Sequence, residues 1–210
     1  MEEGLENEIK QAIQHTLHIW EKQGAIIEEC SLSYTQYLVP VYYTIASAEA
    51  SSNLERYDGV KYGFSSPQTN QKLHPWYRQN RSQGFGPEVK RRIMVGTFVL
   101  SAGYYEDYYL QSCKVRQLIK QEFDSLLQKY DVIVSPVSPT TAPKIGESLK
   151  DPLQMYLSDL YTIPANLTGM PAISLPCGKD SKGLPIGIQL MSNYHREDIL
   201  FDFGYVLETD

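Results

Sequence analysis

The amino-acid sequence predicts an α/β fold whose β-sheet is incomplete within this chain. An amphipathic segment at residues 3–23 is followed, after the single residue Gly24, by an apolar run, and a helix that leads directly into a strand is typical of α/β proteins. Roughly three or four short segments with strand composition lie among about six helical segments. Several of these strands are apolar enough to be buried on both faces, which requires neighbouring strands. We therefore expect residues 1–210 to form one part of a larger domain.

The first predicted elements are a helix and a short strand. Apolar side chains recur at helical spacing between Leu5 and Trp20, which predicts an amphipathic helix over residues 3–23. Gly24 is expected to end this helix, because glycine tolerates the left-handed backbone conformation that often follows a helix C-terminus. The apolar start of residues 25–32 predicts a strand.

A second helix and a long loop are predicted next. Pro40 can start the helix, since proline at the first helical position loses no hydrogen bond, and we expect the helix to run to about Asn53. Many small side chains between Ala46 and Ser52 predict close packing against a neighbouring backbone. Residues 57–87 contain several glycine and proline turn signals together with aromatic side chains, which predicts one long functional loop.

Two helices and a strand are predicted after this loop. Pro87 opens a helix that reaches about Ser101. Gly103 is expected to interrupt the helical conformation before a second helix over residues 105–130. The β-branched run at residues 131–134 predicts a buried strand, because it is too short for a helix.

The last predicted elements are a helix, two strands and a helix. Residues 151–165 predict a helix that Asp151 caps. Residues 172–175 and 185–190 predict two strands joined by a polar turn that contains glycine. A final helix is expected to begin near Arg196.

Composition and charge exclude several classes of protein. The net charge of -6 argues against a chain that binds nucleic acid through a broad basic face. The three cysteines lie far apart and form no CxxC motif, so neither a disulfide framework nor a zinc site is expected. Residues 1–24 are too polar for a signal peptide or a membrane span. These features predict a cytoplasmic protein that does not bind membranes.

The sequence contains no complete set of catalytic residues. GxSxG, GxxxxGK and HExxH motifs are absent, and the four histidines occupy unrelated positions. Ser51 and Ser52 lack the flanking glycines that would expose backbone amides as an oxyanion hole. We therefore predict that this chain carries no catalytic residue, no metal site and no bound cofactor.

Two charged residues lie in apolar surroundings. Arg92 precedes the apolar run 93–100, which predicts that its helix becomes buried, and Asp159 lies within an otherwise apolar predicted helix. An arginine and an aspartate presented to one pocket could hold the carboxylate and the ammonium group of a free α-amino acid. Alternatively, both side chains pair with other protein groups, or Asp159 is exposed.

Six segments of the sequence match a known pattern, beginning with AEASSNLERYDGVKYG at residues 48–63 and continuing at residues 84–93, 100–105, 131–136, 162–176 and 183–189. Together they resemble enzymes of the amidase-signature family, and in particular the A subunits of glutamyl-tRNA(Gln) amidotransferases. The first segment separates these subunits from other amidases. The similarity covers essentially the whole chain in the family's order.

This resemblance implies a fold, a reaction and a set of binding residues. The family fold is a mixed β-sheet covered by helices, of which this chain would be the C-terminal part. The family hydrolyses amides with a Ser–cis-Ser–Lys triad that precedes the matched region, so the triad would lie outside this chain. By similarity, Arg92 would bind the glutamine carboxylate, Asp159 the glutamine ammonium group, and Tyr43 would line the pocket.

The resemblance also implies partners. In the complete enzyme, ammonia from glutamine passes to a B subunit, which uses ATP and Mg²⁺ and binds the tRNA, while a small C subunit wraps the A subunit. Two alternatives remain at this point. The chain could belong to another amidase that acts on a small amide, or it could be a non-catalytic module that keeps the amino-acid pocket.

Overall fold

The computed structural model describes residues 4–67, 72–146 and 152–209, which form two compact units. Unit one takes its residues from Met1–Val39 and Arg116–Asp210, and unit two is Pro40–Val115. The helices are α1 (Asn7–Lys22), α2 (Leu38–Asn53), α3 (Leu73–Gly84), α4 (Pro87–Val99), α5 (Gln111–Leu126), α6 (Pro152–Ser158), α7 (Ile163–Thr168) and α8 (Glu197–Thr209). The strands are β1 (Val132–Pro136), β2 (Ala172–Lys179) and β3 (Pro185–Ser192).

Unit one is built on an antiparallel sheet with the strand order β1-β3-β2. β2 and β3 form the predicted hairpin, and Gly183 adopts a positive φ of 82° in its turn. The central strand β3 is the most buried, with Ile188 and Leu190 fully inaccessible to solvent. β1 is only half-buried, contrary to the prediction of a buried strand, because it pairs on one side with β3 and lies at the edge of this sheet.

Helices α1 and α8 cover the sheet of unit one. Trp20 of α1 is 2% exposed and packs edge-on against Phe203 of α8, with 5.4 Å between the ring centroids. The Trp20 indole N–H also donates to the Phe203 carbonyl at 3.3 Å, which satisfies the polar atom of a buried ring. The predictions of an N-terminal amphipathic helix and of a C-terminal helix are confirmed.

The strand predicted at residues 25–32 was wrong. Gly24 does end α1 with a φ of 101°, but the segment after it has no strand partner in the described part of the chain. Ile26 is 90% exposed, so the apolar run does not contribute to the core. The segment is held instead by Glu28, whose carboxylate accepts hydrogen bonds from Lys129 at 2.6 Å and Tyr130 at 2.7 Å.

The helix predicted over residues 151–165 is divided into α6 and α7. Asp151, its predicted cap, lies outside the described residues. A turn at residues 159–162 separates the two helices, and Gly169 ends α7 with a φ of 76°. The carbonyl of Asp159 accepts the N–H groups of Thr162 and Ile163, each at 3.0 Å, so the turn satisfies its own backbone groups.

Unit two is helical, and residues 57–87 are not one loop. Helix α3 occupies Leu73–Gly84, and only residues 57–67 form the described part of the loop before it. Pro75 lies in the first turn of α3, where a proline removes no helical hydrogen bond. The predicted helices at Pro40 and Pro87 are confirmed as α2 and α4. The helix predicted over residues 105–130 is confirmed as α5, of which residues 111–115 belong to unit two and the rest to unit one; a π-helical turn at Tyr105–Leu110 precedes it.

Every helix within residues 4–67, 72–146 and 152–209 is too short or too polar to cross a membrane.

Candidate functional site

Helices α2 and α4 approach each other closely in unit two, as the small side chains predicted. Gly96 of α4 faces the backbone of Ser47 on α2. A Cβ atom on Gly96 would lie 2.6 Å from the Ser47 carbonyl carbon and from the Ser51 Cβ, and still closer to the Ser47 carbonyl oxygen. One turn further along α2, the hydroxyls of Ser51 and Thr97 are hydrogen-bonded at 3.0 Å. Only glycine at position 96 allows this approach.

This helix contact brings together two of the predicted binding residues. Arg92 lies one helical turn before Gly96, and Tyr43 lies one turn before Ser47. The central carbon of the Arg92 guanidinium lies 5.5 Å from the centroid of the Tyr43 ring, within the range of a cation–π interaction. The Tyr43 ring is itself held by an edge-on contact with Tyr42, whose ring centroid is 5.2 Å away.

Glu88 holds the guanidinium of Arg92 from a second side. It precedes Arg92 by four residues on α4, and its Oε1 accepts a hydrogen bond from Arg92 Nε at 3.3 Å. The other carboxylate oxygen, Oε2, pairs with Arg91. The Arg92 side chain is 37% exposed, so part of it is accessible to a ligand.

The apolar run that follows Arg92 is only partly buried, whereas the sequence predicted that the helix becomes buried; Val99 is 4% exposed. Met94 is 74% and Phe98 46% exposed. Phe98 packs against Tyr104 and Tyr108, with ring centroids 4.3 and 5.8 Å away, and both tyrosines are also exposed. Helix α4 is therefore buried on the side that meets α2, while this aromatic cluster faces solvent.

Asp159 lies in unit one, whereas Arg92 and Tyr43 lie in unit two. Asp159 is half-buried and occupies the turn between α6 and α7, not the interior of a helix as the sequence predicted. Its backbone carbonyl also accepts the Thr162 hydroxyl at 3.1 Å. The turn therefore fixes the backbone from which the carboxylate projects.

The sequence analysis missed a buried polar network in unit two. Asn80 of α3 is 2% exposed; its Oδ1 accepts the Ser66 N–H at 2.8 Å, and its Nδ2 donates to the Asp58 carbonyl at 3.1 Å. Gly59 has a φ of 85° and lies against the Asn80 side chain, so a larger residue would not fit there. Arg81 adds a hydrogen bond to the Leu54 carbonyl at 3.1 Å.

This network organises the segment that most specifically resembles amidotransferase A subunits. The sequence signal that could have predicted this network is the pair Asp58-Gly59, which is typical of a turn. The backbone groups of such a turn need hydrogen-bond partners when they are buried. The partner comes from α3, which the sequence analysis did not predict.

Other chemistry is limited within the described residues. Their His, Cys, Asp and Glu side chains form no cluster of three that could hold a metal ion. A cavity of about 390 Å³ in unit one includes Glu122 in its lining, and this carboxylate accepts the Ser33 N–H at 2.6 Å. Partial desolvation of the thiol, and to a smaller extent the charge of Glu122, raises the pKa of Cys30 above its ordinary value of 9.0, although the residue as a whole is exposed. The thiol is therefore protonated at neutral pH and is a poor nucleophile.

Comparison with known proteins identifies relatives along the whole chain. Residues 1–201 match the family described as Amidase. The glutamyl-tRNA(Gln) amidotransferase A subunit of Lachnospira eligens is 56% identical over 206 residues, which are 98% of this chain and 43% of that protein. The same protein from Trichodesmium erythraeum is 53% identical, covering 98% of this chain and 42% of that protein. The chain thus spans less than half the length of these relatives.

Solved structures give the same result for the fold. The crystal structure of the glutamyl-tRNA(Gln) amidotransferase A subunit from Thermotoga maritima is 41% identical, with a TM-score of 0.66 over 97% of this chain and 37% of that one. A 6-aminohexanoate cyclic dimer hydrolase is only 18% identical but has a TM-score of 0.70, over 98% of this chain and 41% of that one. This second similarity concerns the fold alone.

Proposed function

The chain belongs to the amidase family, and we propose that it is the glutamine-recognising part of the glutaminase subunit of a glutamyl-tRNA(Gln) amidotransferase. Its helices and small sheet are part of the amidase-signature fold. The names of the relatives at 53% and 56% identity support the proposed role. The observation that carries the proposed ligand is the Arg92 guanidinium held over Tyr43 at 5.5 Å.

Arg92 is proposed to bind the α-carboxylate of glutamine. A guanidinium presents its N–H donors in a planar fork that matches the two oxygens of a carboxylate, and this geometry is more specific than the single charge of a lysine. The central carbon of the guanidinium lies over the Tyr43 ring, and this contact restricts the position of the group before the ligand arrives. Tyr43 is proposed to line the pocket.

Asp159 is proposed to bind the α-ammonium group of the same glutamine. The fixed turn between α6 and α7 restricts the position of its backbone, and an ion pair formed in a partly desolvated site is stronger than one in water. A site that binds both charged groups would then distinguish a free amino acid from a neutral amide.

The remaining steps of the proposed function take place outside this chain. A Ser–cis-Ser–Lys triad would hydrolyse the glutamine amide, and the ammonia would pass to a B subunit that uses ATP and Mg²⁺ and binds the tRNA. A C subunit would wrap the A subunit, and the assembly would be cytoplasmic. The acidic net charge of -6 is consistent with tRNA binding by a partner.

The proposal is tested with two preparations. The first is the purified chain, for which we expect no release of ammonia from glutamine; measurable release would contradict the placement of the triad outside the chain. The second is a complemented enzyme, in which this chain is co-expressed with the part of the Lachnospira eligens relative that it does not span.

In the complemented enzyme, Arg92→Ala should raise the KM for glutamine roughly 10- to 100-fold with little change in kcat, because a charge-assisted contact made equally in the ground and transition states is lost. Arg78→Ala, which removes an exposed arginine from α3 in the same unit, is the matched control and should leave the KM unchanged. An unchanged KM in Arg92→Ala would overturn the proposed ligand role. Efficient hydrolysis of a neutral small amide, unaffected by Arg92→Ala, would favour a general amidase instead.

A further inference from the structure

We infer that Glu88 is a positioning residue, which fixes the guanidinium of Arg92 so that its Nη1–Nη2 edge receives the carboxylate of the ligand. This inference rests on the proposed role of Arg92 in glutamine binding. It adds a residue and a direction of approach, both of which come from the contacts of α4.

The contacts around Arg92 leave one edge of the guanidinium for a ligand. A carboxylate can bind an arginine bidentately along the edge that contains Nε or along the edge that contains only Nη1 and Nη2. Arg92 Nε donates to Glu88 Oε1 at 3.3 Å, and the central carbon of the guanidinium lies over the Tyr43 ring. Among the described residues, these two contacts orient the guanidinium, and the Nη1–Nη2 edge is the one they do not use.

The carboxylate of Glu88 is itself fixed on both oxygens. Oε1 accepts from Arg92 and Oε2 from Arg91, so one carboxylate bridges two neighbouring guanidinium groups. The negative charge of Glu88 on its own would weaken the attraction between Arg92 and an anionic ligand. Arg91 offsets part of that charge. Glu88 therefore contributes orientation while leaving the site with a net positive charge.

A purely structural role for Glu88 makes a different prediction. Glu88 lies in the first turn of α4, where a negative charge interacts favourably with the helix dipole. If that were its only role, Glu88→Gln and Glu88→Ala would both lower the stability, and neither would change glutamine binding. A positioning role requires only a hydrogen-bond acceptor at Oε1, which glutamine provides and alanine does not.

The experiment measures the KM and kcat for glutamine in the complemented enzyme with Glu88→Ala, Glu88→Gln, Arg92→Ala and the double variant Glu88→Ala/Arg92→Ala. We expect Glu88→Ala to raise the KM about 3- to 10-fold at unchanged kcat, because the guanidinium must be ordered by the ligand itself. Glu88→Gln should stay within about two-fold of the unsubstituted enzyme. In the Arg92→Ala background, Glu88→Ala should change the KM by less than about two-fold, since Glu88 acts through Arg92.

The outcomes separate this inference from the proposed function. If Arg92→Ala raises the KM and Glu88→Ala does not, the role of Glu88 is overturned and the ligand role of Arg92 stands. An equal effect of Glu88→Ala with and without Arg92 also overturns the inference, because Glu88 would then act by another route. If Arg92→Ala itself has no effect, both are overturned. Urea unfolding of each variant chain identifies any rise in KM that accompanies misfolding, and Glu88→Gln remains informative if Glu88→Ala fails to fold.

Discussion

Gly96→Ala should destabilise unit two, although alanine is the better helix former. Alanine in a helix interior is favoured over glycine by roughly 1 kcal/mol, and Gly96 lies inside α4. The added Cβ, however, would lie 2.6 Å from the Ser47 carbonyl carbon and the Ser51 Cβ, whereas real Cβ atoms essentially never approach within 3.0 Å. Because the neighbour at Ser47 is helix backbone, no side-chain rotation relieves the overlap.

The steric effect is larger than the gain in helix propensity. Because the contact with the Ser47 carbonyl oxygen is the shortest, the two helices must separate by roughly one ångström, which loosens the packing along their contact. Overpacking of this kind costs about 1–3 kcal/mol, so the free energy of unfolding should fall by up to about 2 kcal/mol after the propensity gain of roughly 1 kcal/mol is subtracted. The helices would also move apart one turn from Arg92 and Tyr43, which would disturb the contact between these two side chains. The KM for glutamine in the complemented enzyme should therefore rise.

Gly204→Ala is the matched control for this prediction. Gly204 is a buried glycine inside α8, and an added Cβ would lie 3.5 Å from the Leu175 methyl groups, which is an ordinary van der Waals distance. Urea unfolding followed by far-UV circular dichroism should therefore show a higher midpoint for Gly204→Ala and a lower one for Gly96→Ala. If Gly96→Ala raises the midpoint as Gly204→Ala does, the close approach of α2 and α4 is wrong.

Three further predictions concern the two units. Asn80→Ala should lower the free energy of unfolding by about 2–4 kcal/mol, because the buried N–H of Ser66 and the carbonyl of the half-buried Asp58 lose their partner; the amides of residues 58–66 should then exchange hydrogen faster than in the unsubstituted chain. Leu190→Ala should cost about 2–5 kcal/mol by leaving a cavity beneath α1 and α8, whereas Leu157→Ala, at a 48% exposed position, should change stability by less than about 0.5 kcal/mol in the same urea titration. Burial is the largest single influence on the pKa of Asp180 and raises it, but hydrogen bonds from the Leu184 N–H, the Thr141 hydroxyl and the Lys182 N–H together lower the pKa below its ordinary value of 3.8. Asp180 therefore stabilises the fold above about pH 4, and this contribution should disappear as the pH falls through the lowered pKa; Asp180→Asn should flatten that part of a pH titration of the urea midpoint.

The sequence predicted those elements whose structure is determined locally. Apolar spacing was sufficient for α1, since Ile9 and Trp20 fall on one face and are both 2% exposed. The hairpin of β2 and β3 also followed from local signals, because two apolar runs flank a glycine turn. The family resemblance predicted the larger architecture, an α/β part of the amidase-signature fold, which the solved relatives confirm.

The failures have non-local causes. Residues 25–32 have strand composition, but a strand exists only where a neighbouring backbone pairs with it, and no described residue does so. Helix α3 was missed because the glycines and prolines of residues 57–87 predict one continuous loop. Within α3 these residues lie only near the helix ends, and buried contacts such as those of Asn80 stabilise the part between them. The exposure of Met94 could not be predicted either. An apolar run indicates that a surface is suited to burial, but it does not show whether another part of the chain covers that surface.

The candidate site shows the same division. Arg92 and Asp159 were predicted from their charges in apolar sequence and from family resemblance, whereas the supporting residues depend on how helices cross. Nothing in the sequence pairs Gly96 with Ser47, because they lie on different helices. Glu88 is different: its spacing of four residues from Arg92 is a recognisable helical pair, but the same spacing is common on solvated helix faces and indicates no function.

The two proposed ends of the glutamine site are ordered by different means. Arg92 has a long side chain that would lose considerable conformational freedom on binding a ligand, and the contacts with Tyr43 and Glu88 restrict it in advance within unit two. Asp159 has a short side chain with few rotamers, so fixing its backbone in the turn between α6 and α7 is sufficient to limit its position. Substitutions that affect carboxylate binding should therefore be found among side chains of α2 and α4. Substitutions that affect ammonium binding should be found among the turn residues that determine the backbone path, such as Thr162.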